Sequence, residues 1–407
     1  MTTDWKALEQ KYYMQTVRRQ PVVIVRGLGS KVWDDTGKEY IDFTSGWAVD
    51  ALGHANPMIA DAIAEQARTL IQTSNQFYTI PQIKLAQALV ENSALDRVFI
   101  CNSGAEANEG AVKLARKYGK VKKNGAYEII TAFGGFHGRT MNMVAATAQP
   151  HYHENFKPIP EGFKYVAYND VEAIMAATTE KTVAVMLEPV QGEGGVIVPD
   201  PSYLKRVRQW CDEKGLLLIL DEIQTGIGRL GTLFGYQSFG AEPDVMTLAK
   251  GLGGGVPIGA FLAKEQYCVL SPGDHGSTFG GNPLTCAAAN ATVRYIVEHD
   301  VPAQAKKTGE YMLKGLNELK KKHSFITEVR GMGLLQAVVF DREMSAAVLK
   351  ECNQRGVLLN GVRPNAIRIM PALNIGKAEV DEGLRRLEAG MVAAVATVAK
   401  PQTAEKR

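Results

Sequence analysis

Between residues 98 and 248 the chain repeats one alternation: a short apolar segment, an amphipathic stretch, then another apolar segment. The apolar segments fall at 98–101, 127–130, 183–187, 216–220 and 245–248, and the amphipathic stretches at 105–118, 170–177 and 202–214. Strands that are apolar along their whole length need cover on both faces, and helices supply it. The pattern therefore predicts an α/β fold with a mostly parallel sheet flanked by helices. Ligands of such sheets bind beyond the carboxyl ends of the strands. Here those ends run into Ser103-Gly104-Ala105, Phe136-His137, Glu188-Pro189, Asp221 and Lys250, so five strand ends converge on one crevice.

The flanking regions read differently. Residues 1–49 suggest an extended lead-in followed by short strands, with a hairpin over 31–43 around Asp35-Thr36-Gly37-Lys38. A long helix over 282–299 closes a large domain at 50–290. Residues 291–407 carry their own αβ pattern, with strands near 333–340 and 366–370, a helix at 345–355 and a last helix from Lys377. Residues 400–407 are expected to fray. The net charge of +3 and the lack of a basic run longer than Lys320-Lys321-Lys322 leave nucleic acid binding without a footprint. Five scattered cysteines with no Cys-x-x-Cys point to a reducing compartment. No secretory signal pattern and no membrane-length apolar run is visible, so a cytoplasmic location is expected.

Lys250 ends an apolar segment and enters the run Gly251-Leu252-Gly253-Gly254-Gly255. Desolvation there would lower its proton affinity, as an amine attacking a carbonyl near neutral pH requires. Asp221 ends the apolar run at 216–220. A Schiff-base lysine and an acid facing a pyridinium nitrogen form the pyridoxal phosphate arrangement. A snorkelling lysine and a helix-capping aspartate are the alternative. Ser103-Gly104-Ala105 follows a strand and opens a helix, which suits a phosphate or is an ordinary serine cap. Gly226-Ile227-Gly228-Arg229-Leu230-Gly231 has dinucleotide-loop spacing, but no convincing helix follows, so that reading is set aside. His151-x-His153 has no further ligand candidates nearby and reads as two surface histidines; no metal is expected.

Together these segments resemble the class III (fold type I) pyridoxal-phosphate aminotransferases, over about residues 25–387. The likeness is most specific at Leu220-Asp221-Glu222-Ile223-Gln224-Thr225-Gly226 and Leu248-Ala249-Lys250-Gly251. The stretches at 101–109, 136–140 and 275–283 are most similar to the branch acting on acetylated ornithine. The resemblance implies a large sheet domain plus a smaller α+β domain built from both chain ends. It also implies pyridoxal 5′-phosphate, held at Lys250 as a Schiff base, with Lys250 then moving the proton. Asp221 would keep the ring nitrogen protonated, Gln224 would bond the phenolic oxygen and Phe136 would stack on the ring. Ser103, Gly104, Ala105, Glu222 and Ile223 complete the implied cofactor set, with Thr278 reaching the phosphate of a neighbouring subunit. A homodimer with shared sites follows, with residues 74–78 also crossing over.

The implied reaction moves the δ-amino group of N2-acetylornithine to 2-oxoglutarate, giving glutamate. Arg139 would grip the donor's α-carboxylate and later the distal carboxylate of 2-oxoglutarate, with Ser277 near the substrate. Arg368 would take the oxo acid's α-carboxylate, and Glu193 would neutralise Arg368 while the donor is bound. Where ornithine-type members carry a tyrosine, this chain has Gly46, which leaves room for an acyl group. Trp47, bulkier than expected, would narrow the pocket, and Asp50 stands where asparagine is common. 4-Aminobutyrate, lysine, ornithine and N-succinyl-diaminopimelate remain alternative donors. An aminomutase, a nucleotide-dependent oxidoreductase and a non-catalytic binder are the rivals from other classes.

Overall fold

The computed structural model describes residues 3–398, and the expected fraying at 400–407 lies outside that span. The lead-in is not simply extended: it starts with a helix, Trp5–Tyr12, whose N-cap Asp4 accepts from Ala7 N. Three strands follow, β1 (Ile24–Leu28), β2 (Lys31–Asp34) and β3 (Glu39–Asp42). β2 and β3 form the expected hairpin, with Val32 opposite Tyr40. The middle of the chain supplies β4 (Arg97–Cys101), β5 (Glu128–Ala132), β6 (Phe163–Val166), β7 (Thr182–Leu187), β8 (Leu217–Asp221), β9 (Val245–Leu248) and β10 (Gly259–Ala263). The last third adds β11 (Ile326–Met332), β12 (Leu335–Phe340), β13 (Val357–Leu358), β14 (Asn360–Arg363) and β15 (Ala366–Ile369).

The seven-stranded sheet has the order β4-β10-β9-β8-β7-β5-β6. All its strands run parallel except β10, which pairs antiparallel with both β4 and β9. β10 escapes the sequence pattern because Gly259-Ala260-Phe261-Leu262-Ala263 has no β-branched residue to mark a strand. The central strands β7, β8 and β9 are buried along their whole length, as their continuous apolar character requires. Helices Gly104–Lys122, Val171–Ala177 and Tyr203–Lys214 cover the sheet. Two smaller sheets stand apart, β1-β2-β3-β13 and β11-β12-β15-β14. β13 pairs parallel with β3, which joins the start of the chain to its last third.

Gly119 shows how closely the helix Gly104–Lys122 lies on the turn that leads from it into β5. A Cβ added there would stand 1.8 Å from the carbonyl oxygen of Ala126. Backbone cannot yield as a flexible side chain can, so Gly119→Ala must push the helix outward. We expect a loss of about 1–3 kcal/mol in urea denaturation, the usual cost of overpacking a tight core.

Candidate active site

The sheet topology brings the predicted strand ends together. Ser103, Gly104, Ala105, Phe136, Arg139, Glu193, Asp221, Ile223, Gln224 and Lys250 line one cavity of about 400 Å³, with Val49, Asn102 and Glu188 among the others. At one wall the helix Gly104–Lys122 begins. Ser103 is its N-cap and accepts from Glu106 N at 3.2 Å. The N–H groups of Gly104 and Ala105 precede the first possible intrahelical bonds and are free to meet an anion. A Cβ at Gly104 would press to 2.7 Å from Ile223 Cδ1, so a larger residue there would displace the Ile223 side chain at the cavity wall.

Asp221, at the end of β8, enters the cavity with its carboxylate held from three sides. Oδ2 takes His137 Nδ1 at 2.8 Å and Asn108 Nδ2 at 2.7 Å, and Oδ1 takes Ile223 N at 3.1 Å. Burial disfavours a charge on His137, but the hydrogen bond and charge of Asp221, with the charge of Glu188, together outweigh it and raise the imidazole's pKa. Glu188 lies beside this pair, accepting from Phe136 N and Gly192 N at 3.0 and 3.1 Å, and burial pushes its carboxyl up to about 7.

Lys250 follows β9 with a left-handed backbone, φ 41°. Among the described residues no hydrogen bond or ion pair ties down its Nζ, and burial lowers its pKa from 10.5. Gln224 is nearly buried. Its Oε1 must face the guanidinium of Arg368, which can only donate, and the two lie 2.9 Å apart. That leaves Gln224 Nε2 as a buried donor with no partner. A cradle of unpaired helix N–H groups, an acid buttressed by donors, an amine of lowered pKa and an orphaned amide N–H fit the phosphate, ring nitrogen, aldehyde and phenolic oxygen of pyridoxal 5′-phosphate.

Arg139 is exposed at the cavity's edge, and among the described residues no carboxylate pairs with it. Its guanidinium lies over the rings of Tyr152 and Phe136, at 4.3 and 5.2 Å, and Nη2 reaches the Tyr152 hydroxyl at 3.4 Å. Arg368 is fully buried in β15 and pairs with Glu193 at 2.7 Å. Burial works against the Glu193 carboxylate, but Arg368 and then Lys250 lower its pKa below the ordinary value.

Several other residues lie away from this cavity. Glu222 is absent from the cavity wall. Side chains alternate along a strand, so the residue after Asp221 turns the other way. Glu222 there accepts from Gly235 N and from Tyr236 N (2.7 Å). Ser277 sits at the edge, accepting from Asn102 Nδ2 at 3.1 Å, and Thr278 is exposed outside the cavity of its own chain. Trp47 is 52% exposed in the single chain and does not line this cavity, where Val49 forms part of the wall. His153 is not a surface residue but buried, with Nε2 2.7 Å from the carbonyl of Thr147. Asn108, Tyr152 and Asn360 received no role from the sequence. Asn108 could have been found as the position one helical turn after Gly104, whereas nothing around Asn360 signals its place.

Ser45, Gly46, Trp47 and Ala48 form one turn in which all four φ angles are positive, from 35 to 67°. Left-handed backbone costs roughly 1–2 kcal/mol for each non-glycine residue, so the turn must be held from outside. Asp42 Oδ1 accepts from Thr44 N, Thr44 Oγ1 and Ser45 N at 2.7, 2.6 and 3.1 Å, and Ser45 Oγ donates to Met370 O at 2.6 Å.

A reactive amine, a buttressed carboxylate and an anion cradle around one cavity define an enzyme acting on amines and carbonyls. The family described as Aminotransferase class-III matches residues 12–391, and the chain belongs to it. The acetylornithine aminotransferase of Methanocaldococcus jannaschii is 50% identical over 95% of this chain and 97% of its own. Among solved structures, N-acetylornithine aminotransferase from Stenotrophomonas maltophilia K279a superposes with a TM-score of 0.83 at 38% identity, covering 96% and 99% of the two chains. An ornithine aminotransferase from Toxoplasma gondii, with partial occupancy of PLP at its active site, gives a TM-score of 0.94 at 35% identity over 98% and 95%.

Proposed function

We propose that this aminotransferase moves the δ-amino group of N2-acetyl-L-ornithine to 2-oxoglutarate, using pyridoxal 5′-phosphate and giving N-acetyl-L-glutamate 5-semialdehyde and L-glutamate. The observation that carries this reading is the pair of guanidinium receptors: Arg139 free at the mouth, and Arg368 buried behind a Glu193 that can leave. A dicarboxylate acceptor needs two cations, whereas a donor carrying a single carboxylate needs one. Glu193 on Arg368 closes the second receptor for the donor half of a ping-pong cycle, and its departure opens it for the acceptor. Two of the relatives named above, from Methanocaldococcus jannaschii and Stenotrophomonas maltophilia, are acetylornithine aminotransferases, which supports the acylated donor over free ornithine.

When bound, the cofactor supplies a carbonyl for the amino group and a ring that accepts electrons. Lys250 would hold it covalently and then carry a proton between substrate carbon and cofactor. Asp221 would hold a proton on the ring nitrogen, and His137 and Asn108 keep the carboxylate oriented for this. Gln224 Nε2 would donate to the phenolic oxygen, Gly104 and Ala105 to the phosphate, and Phe136 would cover one ring face.

The protein is proposed to act as a homodimer with shared sites. Exposed Phe77, Tyr78, Ile80 and Phe279 offer apolar surface for a partner, and Thr278 lies where it could serve a neighbour's cavity. A division into 50–290 and a small domain of 1–49 with 291–407 accords with the pairing of β3 and β13. No helix among the described residues is long and apolar enough to cross a membrane. A cytoplasmic location would keep the five free cysteines reduced.

A panel of amino donors with 2-oxoglutarate as acceptor tests the substrate. We expect the highest kcat/KM for N2-acetylornithine. A higher value for ornithine, 4-aminobutyrate, lysine or N-succinyl-diaminopimelate would replace it, and turnover without any oxo acid would remove the aminotransferase cycle.

A further inference from the structure

Arg368 is fully buried, and its surroundings divide into two kinds. An arginine has five N–H donors. Nε and Nη2 donate to Asn360 Oδ1 at 3.2 and 2.8 Å, Nη1 donates to Gln224 Oε1 at 2.9 Å, and Nη2 also meets Glu193 Oε1 at 2.7 Å. Asn360 is the register partner of Arg368 across β14 and β15, so its place is set by the sheet. Glu193 lies instead on a loop between Gly192 and Gly194. Among the described residues it is the one carboxylate paired with Arg368.

We propose that Asn360 is a positioning residue that holds the plane of Arg368 without spending its charge, and so allows the site to accept two substrates in turn. This rests on the reading of Arg368 and Glu193 given above. An amide oxygen and a carboxylate oxygen occupy similar space and accept similar hydrogen bonds, but only the carboxylate cancels a cation. With amides as permanent anchors, the departure of Glu193 leaves Arg368 oriented, positive and with Nη donors directed to an incoming carboxylate. A permanent acid in place of Asn360 would satisfy the guanidinium equally well. It would also repel the α-carboxylate of 2-oxoglutarate and remove the reason for Glu193 to stay.

The test compares Asn360→Asp with Asn360→Ala in the cofactor-loaded enzyme, measuring the two half-reactions separately by single turnover and the binding of glutarate by calorimetry. Glutarate is an unreactive dicarboxylate, so its affinity reports on the receptor and not on the chemistry. For N360D we expect the acceptor constant to worsen at least tenfold relative to the donor constant, with glutarate weakened to match. N360A, which removes the tether and adds no charge, should weaken glutarate severalfold less than N360D while still shifting the ratio against the acceptor. An unchanged donor-to-acceptor ratio in either variant, or equal glutarate losses in both, would overturn the proposal. Should N360D not fold, the ratio in N360A decides alone. Arg368→Met serves as the control: if it spares the acceptor half-reaction, the fault lies in the role given to Arg368 and not in that given to Asn360.

Discussion

Lys250→Ala is expected to lower turnover by about 10⁴-fold or more, because one side chain performs two tasks. On the proposed mechanism it would provide the amine that holds the cofactor and would carry the proton between substrate and cofactor. Positioned proton transfer alone contributes roughly 10²–10⁴-fold, and loss of the covalent nucleophile adds to it. The effect is local, since among the described residues no hydrogen bond or ion pair depends on Nζ, so the melting temperature of the cofactor-free variant should stay near that of the cofactor-free native protein. Borohydride reduction of the loaded native enzyme, followed by peptide mapping, should place a pyridoxyl group on Lys250 and none on the variant. A modified lysine elsewhere, or a variant retaining a tenth of native turnover, would contradict the assignment.

The second large effect is expected at Asp221. A carboxylate can accept from all three of its donors, His137 Nδ1, Asn108 Nδ2 and Ile223 N. Asn would turn an NH2 group against one of them and could not keep a ring nitrogen protonated. Losing a preorganised charge at a reacting centre costs roughly 10²–10³-fold in kcat, and we expect Asp221→Asn to fall in or below that range. The pH dependence of stability gives a separate readout. The folded pKa of His137 is raised above 6.5, so its charged pairing with Asp221 stabilises the protein fully below that value. The contribution fades as pH rises through the raised folded pKa. The native protein should therefore lose stability across that window, and D221N should show a flatter profile in urea denaturation. Parallel profiles would mean that the pair does not titrate as described.

Much of this was legible in the chain because strand ends carry their signal locally. Leu216 to Leu220 stops at Asp221, and 245–248 stops just before Lys250, so both residues could be assigned to one crevice from sequence alone. Pairing across long distances was not legible. Asn360 meets Arg368 through the register of two short strands, and Tyr152 comes under Arg139 through a turn that no periodicity marks. Glu222 misled for a different reason. It is adjacent to Asp221 in a motif-like segment, but the pleat of the strand sends neighbouring side chains to opposite sides. The buried guanidinium of Arg229 was likewise silent. It donates from Nη1 to the carbonyls of Leu334 and Pro371, and burial lowers its pKa to about 9.

The left-handed turn at Ser45–Ala48 bears on how this enzyme's relatives could exchange donors over time. Gly46 has φ 62°, and a Cβ there would come within 3.0 Å of Asp50 Oδ2. A single codon change to the tyrosine of the ornithine-type pocket would therefore meet strain and a close contact together. The Asp50 carboxylate would have to swing aside, and it already lies 3.7 Å from His54, which is bonded to the Asp42 that holds the turn. A side chain at position 46 would thus carry a standing backbone cost whatever it gained in binding, and evolution at this position is biased toward keeping glycine.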